Sequence, residues 1–464
     1  MTIIEQRSRL GVAPALPAIA GVEMWERFSF YGMQAILVYY LYDHTAGLGL
    51  EQSEATALVG AYGAMLYLFT FAGGWVSDRV LGAERTLLAG AALLIGGHLS
   101  LSLIPGFVGL FAGLFPLALG SGLLKTAAIT ILGAAFPTSA GPPFQIFYLG
   151  INIGAFLGPM LTGWLAETRG FHVGFGAAAL LMVVGCVNYL ALRGRMLGSL
   201  SAKSREFITQ PANPAEPQTQ LKVLIASVLV IVAAVWGLRN PDRLAYVLLI
   251  ATVATALGLF VTVLTSPRVS AAERQKVRAF IPLFIASTTY WTLQSQAYGV
   301  FAVYSEQRLD RTIAGFEVPA AWTQSLNPLF ILVFTFPIAR LLTKHRNRNH
   351  LMGGGLALAG MGMLVLVLFT GASSVPFLAL AGCILFMSLG ELFIGPIGMA
   401  ATAIHAPAAF ATRFSALFFL SLAIGTSLAG SLSTLYSSET ELYYLIVVGL
   451  VPVIVGGAIY KSKQ

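Results

Sequence analysis

The chain has 464 residues, of which 57% are hydrophobic and only 10% charged, and its formal net charge is +8. Mean hydropathy is +0.80. A water-soluble chain of this length needs a polar coat that so little charge cannot make, which excludes a soluble enzyme, a nucleic-acid binder and a disordered chain.

A membrane-crossing helix needs about 20 apolar residues. In chain order, runs of that kind fall at about 16–42, 55–77, 86–105, 107–135, 143–166 and 171–193. Two more lie at 221–238 and 244–265, and six follow at 279–304, 317–343, 350–371, 375–404, 409–436 and 439–460. The pattern of six, two and six predicts an all-α integral membrane protein of 14 spans. An alternating strand pattern is absent, which argues against a β-barrel. The expected organisation is an N-terminal six-helix bundle over 1–195, a linker over 196–220, an extra hairpin over 221–265 and a C-terminal six-helix bundle over 266–464. Such a division suggests two pseudo-symmetric halves, as in major facilitator transporters. The linker is rich in Ser, Pro and Gln (Gln210-Pro211-Ala212-Asn213-Pro214-Ala215-Glu216-Pro217) and reads as a cytoplasmic connector. The hairpin is Val/Leu/Ala-rich and reads as peripheral, facing lipid.

With the N-terminus in the cytoplasm, 20 of the 27 Lys and Arg residues fall on the cytoplasmic side and five outside. This positive-inside bias puts both termini in the cytoplasm of a multi-pass protein of the cell (inner) membrane. The first run has no cleavage site and reads as a retained span. Cys186 and Cys383 both sit within apolar runs and form neither a disulfide framework nor a metal spacing.

Five ionisable groups inside the spans matter most: Glu23, Glu26 and Arg27 in the first, Lys125 in the fourth and Glu391 in the tenth. A charge at the bilayer centre costs about 2.5–3.5 kcal/mol on insertion scales, so such groups persist where they face a bundle interior or a watery cavity. Glu23 and Glu26 share a helix face, and Glu23 to Arg27 is a favourable i, i+4 pair. An ion pair binding helices together is the structural alternative. Two acids and two bases exceed what that requires, which favours a proton relay and a site for a charged solute. Two carboxylates sharing cations can exchange partners when one is protonated.

Glu23-Met24-Trp25-Glu26-Arg27-Phe28-Ser29-Phe30-Tyr31-Gly32 resembles the ExxERFxYYG motif of the proton-dependent oligopeptide transporter (POT) family. Further segments agree. Gly73-Gly74-Trp75-Val76-Ser77-Asp78-Arg79-Val80-Leu81-Gly82 resembles the family's form of the facilitator loop between spans two and three. Phe147-Tyr148-Leu149-Gly150-Ile151-Asn152-Ile153-Gly154 resembles its span-five signature. Gln324-Ser325-Leu326-Asn327-Pro328 and Gly390-Glu391-Leu392-Phe393-Ile394-Gly395-Pro396 are similar to its segments in spans eight and ten.

The resemblance implies a major facilitator fold and a proton-coupled symporter importing di- and tripeptides by alternating access. It implies that Glu23, Glu26, Arg27 and Lys125 form the proton-coupling cluster, with Arg27 and Lys125 also facing the peptide carboxylate. Glu391, Asn152 and Asn327 would receive the amino group. Tyr31 and Tyr67 would bind the peptide backbone, and Trp291 and Phe418 would line side-chain pockets. Cations and carboxylates in opposite halves would clamp a zwitterion of fixed length. The expected partners are di- and tripeptides, protons and membrane lipid, with no nucleic acid, no cofactor, no metal and a monomeric chain.

Two positions depart from the family pattern. Phe30 replaces the first motif tyrosine, and span seven reads Trp291-Thr292-Leu293-Gln294-Ser295-Gln296, where many members place a Glu before the second Gln. The remaining carboxylates for coupling are Glu23, Glu26 and Glu391. Asp78 and Arg79, with Glu84 and Arg85, are expected to form a charge latch on the cytoplasmic loop. His98 reads as a packed, hydrogen-bonded histidine rather than a proton carrier. Helix-interior Pro and Gly, among them Pro116, Pro159, Pro328 and Pro396, suggest kinks or close packing. The alternative substrate is another small organic solute or anion, against which Glu391 argues. No nucleophile–base pair, HExxH helix or P-loop is present, so neither an intramembrane enzyme nor an ATP-driven pump is expected.

Overall fold

The computed structural model describes residues 14–136, 141–222, 225, 241–344 and 347–461. Most of the expected span at 221–238, with Arg7, Arg9, Arg239 and Lys463, lies outside the described residues. The helices are α1 (Ala15–Tyr42), α2 (Gln52–Val76), α3 (Ala83–Leu103), α4 (Gly106–Ala135), α5 (Gly141–Arg169) and α6 (Phe171–Ser199). Then come α7 (Ala202–Thr209), α8 (Pro241–Thr265), α9 (Ala271–Gln294), α10 (Val300–Gln307) and α11 (Leu326–Lys344). The chain ends with α12 (Arg348–Val365), α13 (Phe377–His405), α14 (Ala411–Ser433) and α15 (Glu441–Lys461). Eleven helical stretches among the described residues are long and apolar enough to cross a membrane. α1 matches them in length at 28 residues but carries three charges.

Packing divides the chain into two units, Met1–Ile36 with Phe69–Trp236, and Leu37–Leu68 with Gly237–Gln464. In the first, α3 packs on α4 and α6, and α5 on α6. Helices in a bilayer gain no hydrophobic drive from meeting each other, so close backbone approach through small residues takes its place. α5 shows this at Gly154 and Gly158, where a β-carbon would collide with the Met24 and Phe28 carbonyls of α1. That approach presses α5 onto the helix that bears Glu23 and Arg27. In the second unit, α12 packs on α13 and α15, α9 on α13 and α14, and α11 on α13. Gly355 of α12 and Gly390 of α13 meet backbone to backbone, one residue before Glu391.

α8 buries Ala245, Thr252, Ala256 and Phe260 while Val247, Ile250, Leu257 and Val261 stay exposed. Its buried face meets α9 and α14 through Phe260, Phe280, Phe284 and Phe414. One covered and one bare apolar face suit a helix at the bundle edge.

The structure differs from the sequence reading in three places. The expected seventh span is not one helix: α9 stops at Gln294, Ser295–Tyr298 forms a 3₁₀ turn, and α10 begins after Gly299, whose φ and ψ are −114° and −95°. Gln296 Nε2 donates to the Thr292 carbonyl at 3.3 Å, and Tyr444 OH donates to Gln296 Oε1 at 2.8 Å, so side chains occupy backbone groups at the break. Second, Pro328 kinks no helix; it lies in the first turn of α11, after the 3₁₀ turn Ala320–Ser325. Third, the polar linker is built rather than loose. Ser201 Oγ accepts from Ser204 N at the start of α7, and Ile208 is fully buried. Beyond α7, Asn213 N donates to the Asp78 carbonyl at 3.0 Å and Ala215 N to the Arg79 carbonyl at 2.9 Å. These bonds cap the π-helical turn Ser77–Leu81 that ends α2.

Short strands also occur between α10 and α11. Thr312–Ile313 pairs antiparallel with Phe316–Glu317 across Ala314 and Gly315, both of which have positive φ, and Leu309–Asp310 pairs with Val375–Pro376.

Candidate functional site

The membrane-embedded charges of the first unit come together. Glu23, Glu26 and Arg27 are 1%, 0% and 3% exposed. Arg27 Nε contacts Glu26 Oε2 and lies 3.3 Å from Glu23 Oε1. Arg27 Nη2 donates to Ser121 Oγ at 3.2 Å, and Ser121 Oγ donates to Glu26 Oε1 at 2.8 Å. Ser121 thus closes a ring with the guanidinium and one carboxylate. Lys125 stands one turn further along α4, within electrostatic range of Glu23, Glu26 and Arg27. The guanidinium carbon is also 5.2 Å from the Phe30 ring centroid and 6.0 Å from that of Tyr31, within cation–π range.

The two acids are held differently. Glu26 takes a hydroxyl and a guanidinium, whereas neither oxygen of Glu23 accepts an aligned hydrogen bond among the described residues. With both acids and both bases charged, the cluster is neutral. A proton added to either acid leaves a net positive charge and weakens that acid's hold on Arg27 or Lys125. Such a group can turn proton uptake into a change of ion-pair partners.

The second unit holds a smaller network around Glu391, which is half-buried on α13. Asn327 Nδ2 donates to Glu391 Oε2 at 3.0 Å and to Ser388 Oγ at 2.9 Å. Tyr290 OH lies 3.4 Å from the same Oε2, 3.0 Å from the Met387 carbonyl and 3.2 Å from Gln294 Oε1. Both hydrogen bonds to Glu391 thus fall on Oε2. Oε1 accepts no hydrogen bond among the described residues.

The other expected residues are spread over both units. Asn152 is buried in α5, and its Nδ2 donates to the Tyr148 carbonyl of its own helix at 2.9 Å. Tyr67 lies on the part of α2 that belongs to the second unit. Trp291 stacks edge-on against Tyr290 at 5.2 Å. Its Nε1 is buried with no hydrogen-bond partner among the described residues. Phe418 packs edge-on against Phe419 at 5.6 Å, on the α14 face towards Gly398.

The expected latch is arranged otherwise. Glu84 is buried and binds Arg193 of α6 through two bonds of 2.5 and 3.0 Å. Asp78, Arg79 and Arg85 are exposed, and none of the three makes an ion pair among the described residues. The loop is fastened instead through the carbonyls of Asp78 and Arg79. His98 is fully buried, but it is not the hydrogen-bonded histidine expected: neither ring nitrogen has a hydrogen-bond partner among the described residues.

Sequence reasoning missed Ser121 and Tyr290 as members of the two networks. Ser121 precedes Lys125 by four residues, a spacing that puts both on one face of α4. Tyr290 precedes Gln294 by the same interval.

In the second unit, Tyr39 OH donates to the Ala302 carbonyl at 3.0 Å, Tyr42 OH donates to Glu306, and Gln307 Nε2 donates to Gln52 Oε1 at 3.1 Å. These bonds tie the C-terminal end of α1 and the start of α2 to α10.

Multi-pass helical bundles that bury mutually paired charges are what a membrane transporter presents. The model of the POT family matches residues 84–447, and the chain belongs to that family. It is 33% identical to a di-/tripeptide transporter of Lactococcus lactis subsp. lactis (strain IL1403), over 97% of this chain and 95% of that one. It is 31% identical to the uncharacterized transporter YclF of Bacillus subtilis (strain 168), over 98% of this chain and 94% of that one. Among solved structures, a peptide transporter POT in complex with sulfate superposes with a TM-score of 0.88 at 33% identity, covering 96% of this chain and 93% of that one. A POT family transporter in complex with 5-aminolevulinic acid gives 0.88 at 31% identity, covering 96% and 95%. The major facilitator fold expected from the sequence is the fold of this family.

Proposed function

We propose that the chain is a proton-coupled symporter that imports di- and tripeptides across the cell membrane by alternating access, with both termini in the cytoplasm and a monomer as the working unit. The observation that carries this reading is the pair of networks. One unit buries two acids around Arg27, Ser121 and Lys125, and the other offers a carboxylate of which one oxygen accepts no hydrogen bond among the described residues. A peptide is a zwitterion and needs both. Its carboxylate goes to Arg27 and Lys125, and its ammonium to Glu391 Oε1, held in position by Asn327. Tyr31, Tyr67 and Asn152 serve the backbone, while Trp291 and Phe418 bound the side chains. The L. lactis relative is named for di- and tripeptides, and the bound 5-aminolevulinic acid of another relative carries an amine and a carboxylate at its two ends.

Coupling follows from the ring. Glu23, which pairs with Arg27 and accepts no aligned hydrogen bond among the described residues, is the acid that loosens from Arg27 when a proton arrives. Glu26 keeps Arg27 and Ser121. Arg27, relieved of one of its two carboxylates, then serves the peptide carboxylate together with Lys125, so that proton and peptide bind together and leave together. No cofactor enters this cycle.

The test is uptake of labelled dialanine into proteoliposomes under an imposed inward proton gradient. Uptake above the gradient-free level, inhibited by unlabelled di- and tripeptides, supports the proposal. Gradient-driven uptake of an organic anion that dialanine does not inhibit would replace it with the anion alternative.

A further inference from the structure

Tyr290 is a fully buried side chain with one hydroxyl proton and three acceptors around it. The Met387 carbonyl is at 3.0 Å, Gln294 Oε1 at 3.2 Å and Glu391 Oε2 at 3.4 Å. One phenol donates a single hydrogen bond at a time. The Met387 carbonyl lies one helical turn before Glu391, so it already faces the Glu391 amide within α13. That leaves Glu391 and Gln294 as the acceptors with most to gain. The other donor to Glu391 is fixed: Asn327 spends its two N–H groups on Ser388 Oγ and Glu391 Oε2, and Ser388 Oγ passes its own proton to the Ile384 carbonyl at 2.7 Å.

We propose that Tyr290 is a positioning residue for amine recognition: with Asn327 it holds Glu391 by Oε2, so that Oε1 faces the substrate ammonium. The inference rests on the reading that Glu391 receives the amine, and it adds a residue that never touches substrate. Two donors on one oxygen fix the rotation of the carboxylate, and removing one lets the group turn about its terminal torsion, which is broad and soft. The ring of Tyr290 has a packing role of its own, edge-on against Trp291. Tyr290→Phe keeps that packing and deletes only the hydroxyl.

The experiment measures binding of dialanine and N-acetyl-dialanine to purified native protein and to Tyr290→Phe, with thermal unfolding recorded beside it. In native protein, dialanine binds more tightly than its acetylated form. In Tyr290→Phe, dialanine weakens about three- to tenfold, the loss of one hydrogen bond, while acetylated dialanine changes less than about twofold. The ratio of the two affinities therefore shrinks. A purely structural role would weaken both ligands alike and leave the ratio intact, which overturns the proposal. Equal binding of both ligands by native protein overturns the amine reading itself, together with this proposal. Should Tyr290→Phe fail to fold, Gln294→Met decides the matter. It removes a competing acceptor, so the ratio holds or rises, and a fall in the ratio overturns the assignment.

Discussion

Ser121→Ala should damage the charged cluster although serine carries no charge. Its hydroxyl is fully buried, donates to Glu26 Oε1 at 2.8 Å and accepts from Arg27 Nη2 at 3.2 Å. A hydrogen bond to a charged group contributes about 1.5–3 kcal/mol. Both bonds pass through one oxygen, so their contributions do not simply add, and the expected loss is about 2–4 kcal/mol. Glu26 keeps its contact with Arg27, so the fold survives with a lower melting temperature. Thermal unfolding of purified protein reads the stability loss. Proteoliposome assays then separate two kinds of transport: gradient-driven uptake should fall more than counterflow of dialanine, because only the former needs the acids to change partners. A variant that melts within experimental error of native protein and transports normally in both assays would refute the reasoning, since Ser121 would then be packing alone.

Glu23→Gln removes the titratable group of the loosely held acid, so gradient-driven uptake should be lost while counterflow persists; equal loss of both would count against coupling at Glu23. Lys125→Ala leaves buried carboxylates short of a cation at a cost on the order of 3–5 kcal/mol and should abolish driven uptake, with only partial rescue by Lys125→Arg, because a planar fork does not replace a compact ammonium; normal driven uptake by Lys125→Ala would contradict the cluster. Gly82 has φ +78°, and a β-carbon there would lie 2.9 Å from the Thr209 carbonyl carbon. Gly82→Ala should therefore cost about 1–2 kcal/mol and loosen the α7 segment, speeding limited proteolysis between Gln210 and Pro217. An unchanged cleavage rate would mean that the segment is held elsewhere.

The spans were legible because an apolar run of membrane length has few other uses, and the first cluster was legible because Glu23, Glu26 and Arg27 share a helix face. Glu391 stood out as a lone acid in an apolar run. The misreadings have a common cause: contacts brought together by packing leave no local pattern. Arg193 reaches Glu84 across 109 residues, so the neighbouring charges Asp78, Arg79, Glu84 and Arg85 looked like a latch among themselves. The linker docks through backbone amides at Asn213 and Ala215, which are indifferent to side-chain identity. Its Pro and Ser content reads as loop. The break at Ser295–Tyr298 lies inside an apolar run, and hydropathy does not distinguish an α turn from a 3₁₀ turn. Gly299 and the paired glutamines Gln294 and Gln296 were the available hints. Ser121 was legible in principle, four residues before Lys125, but a serine in a membrane helix more often bonds its own backbone.

The central claim is that peptide and proton cross together through this chain. Proteoliposomes loaded with a pH-sensitive dye, with no imposed gradient and the membrane potential clamped, should acidify inside when dialanine is added outside. The acidification should stop in Glu23→Gln. Dialanine entry at the native rate with no internal acidification would contradict the account.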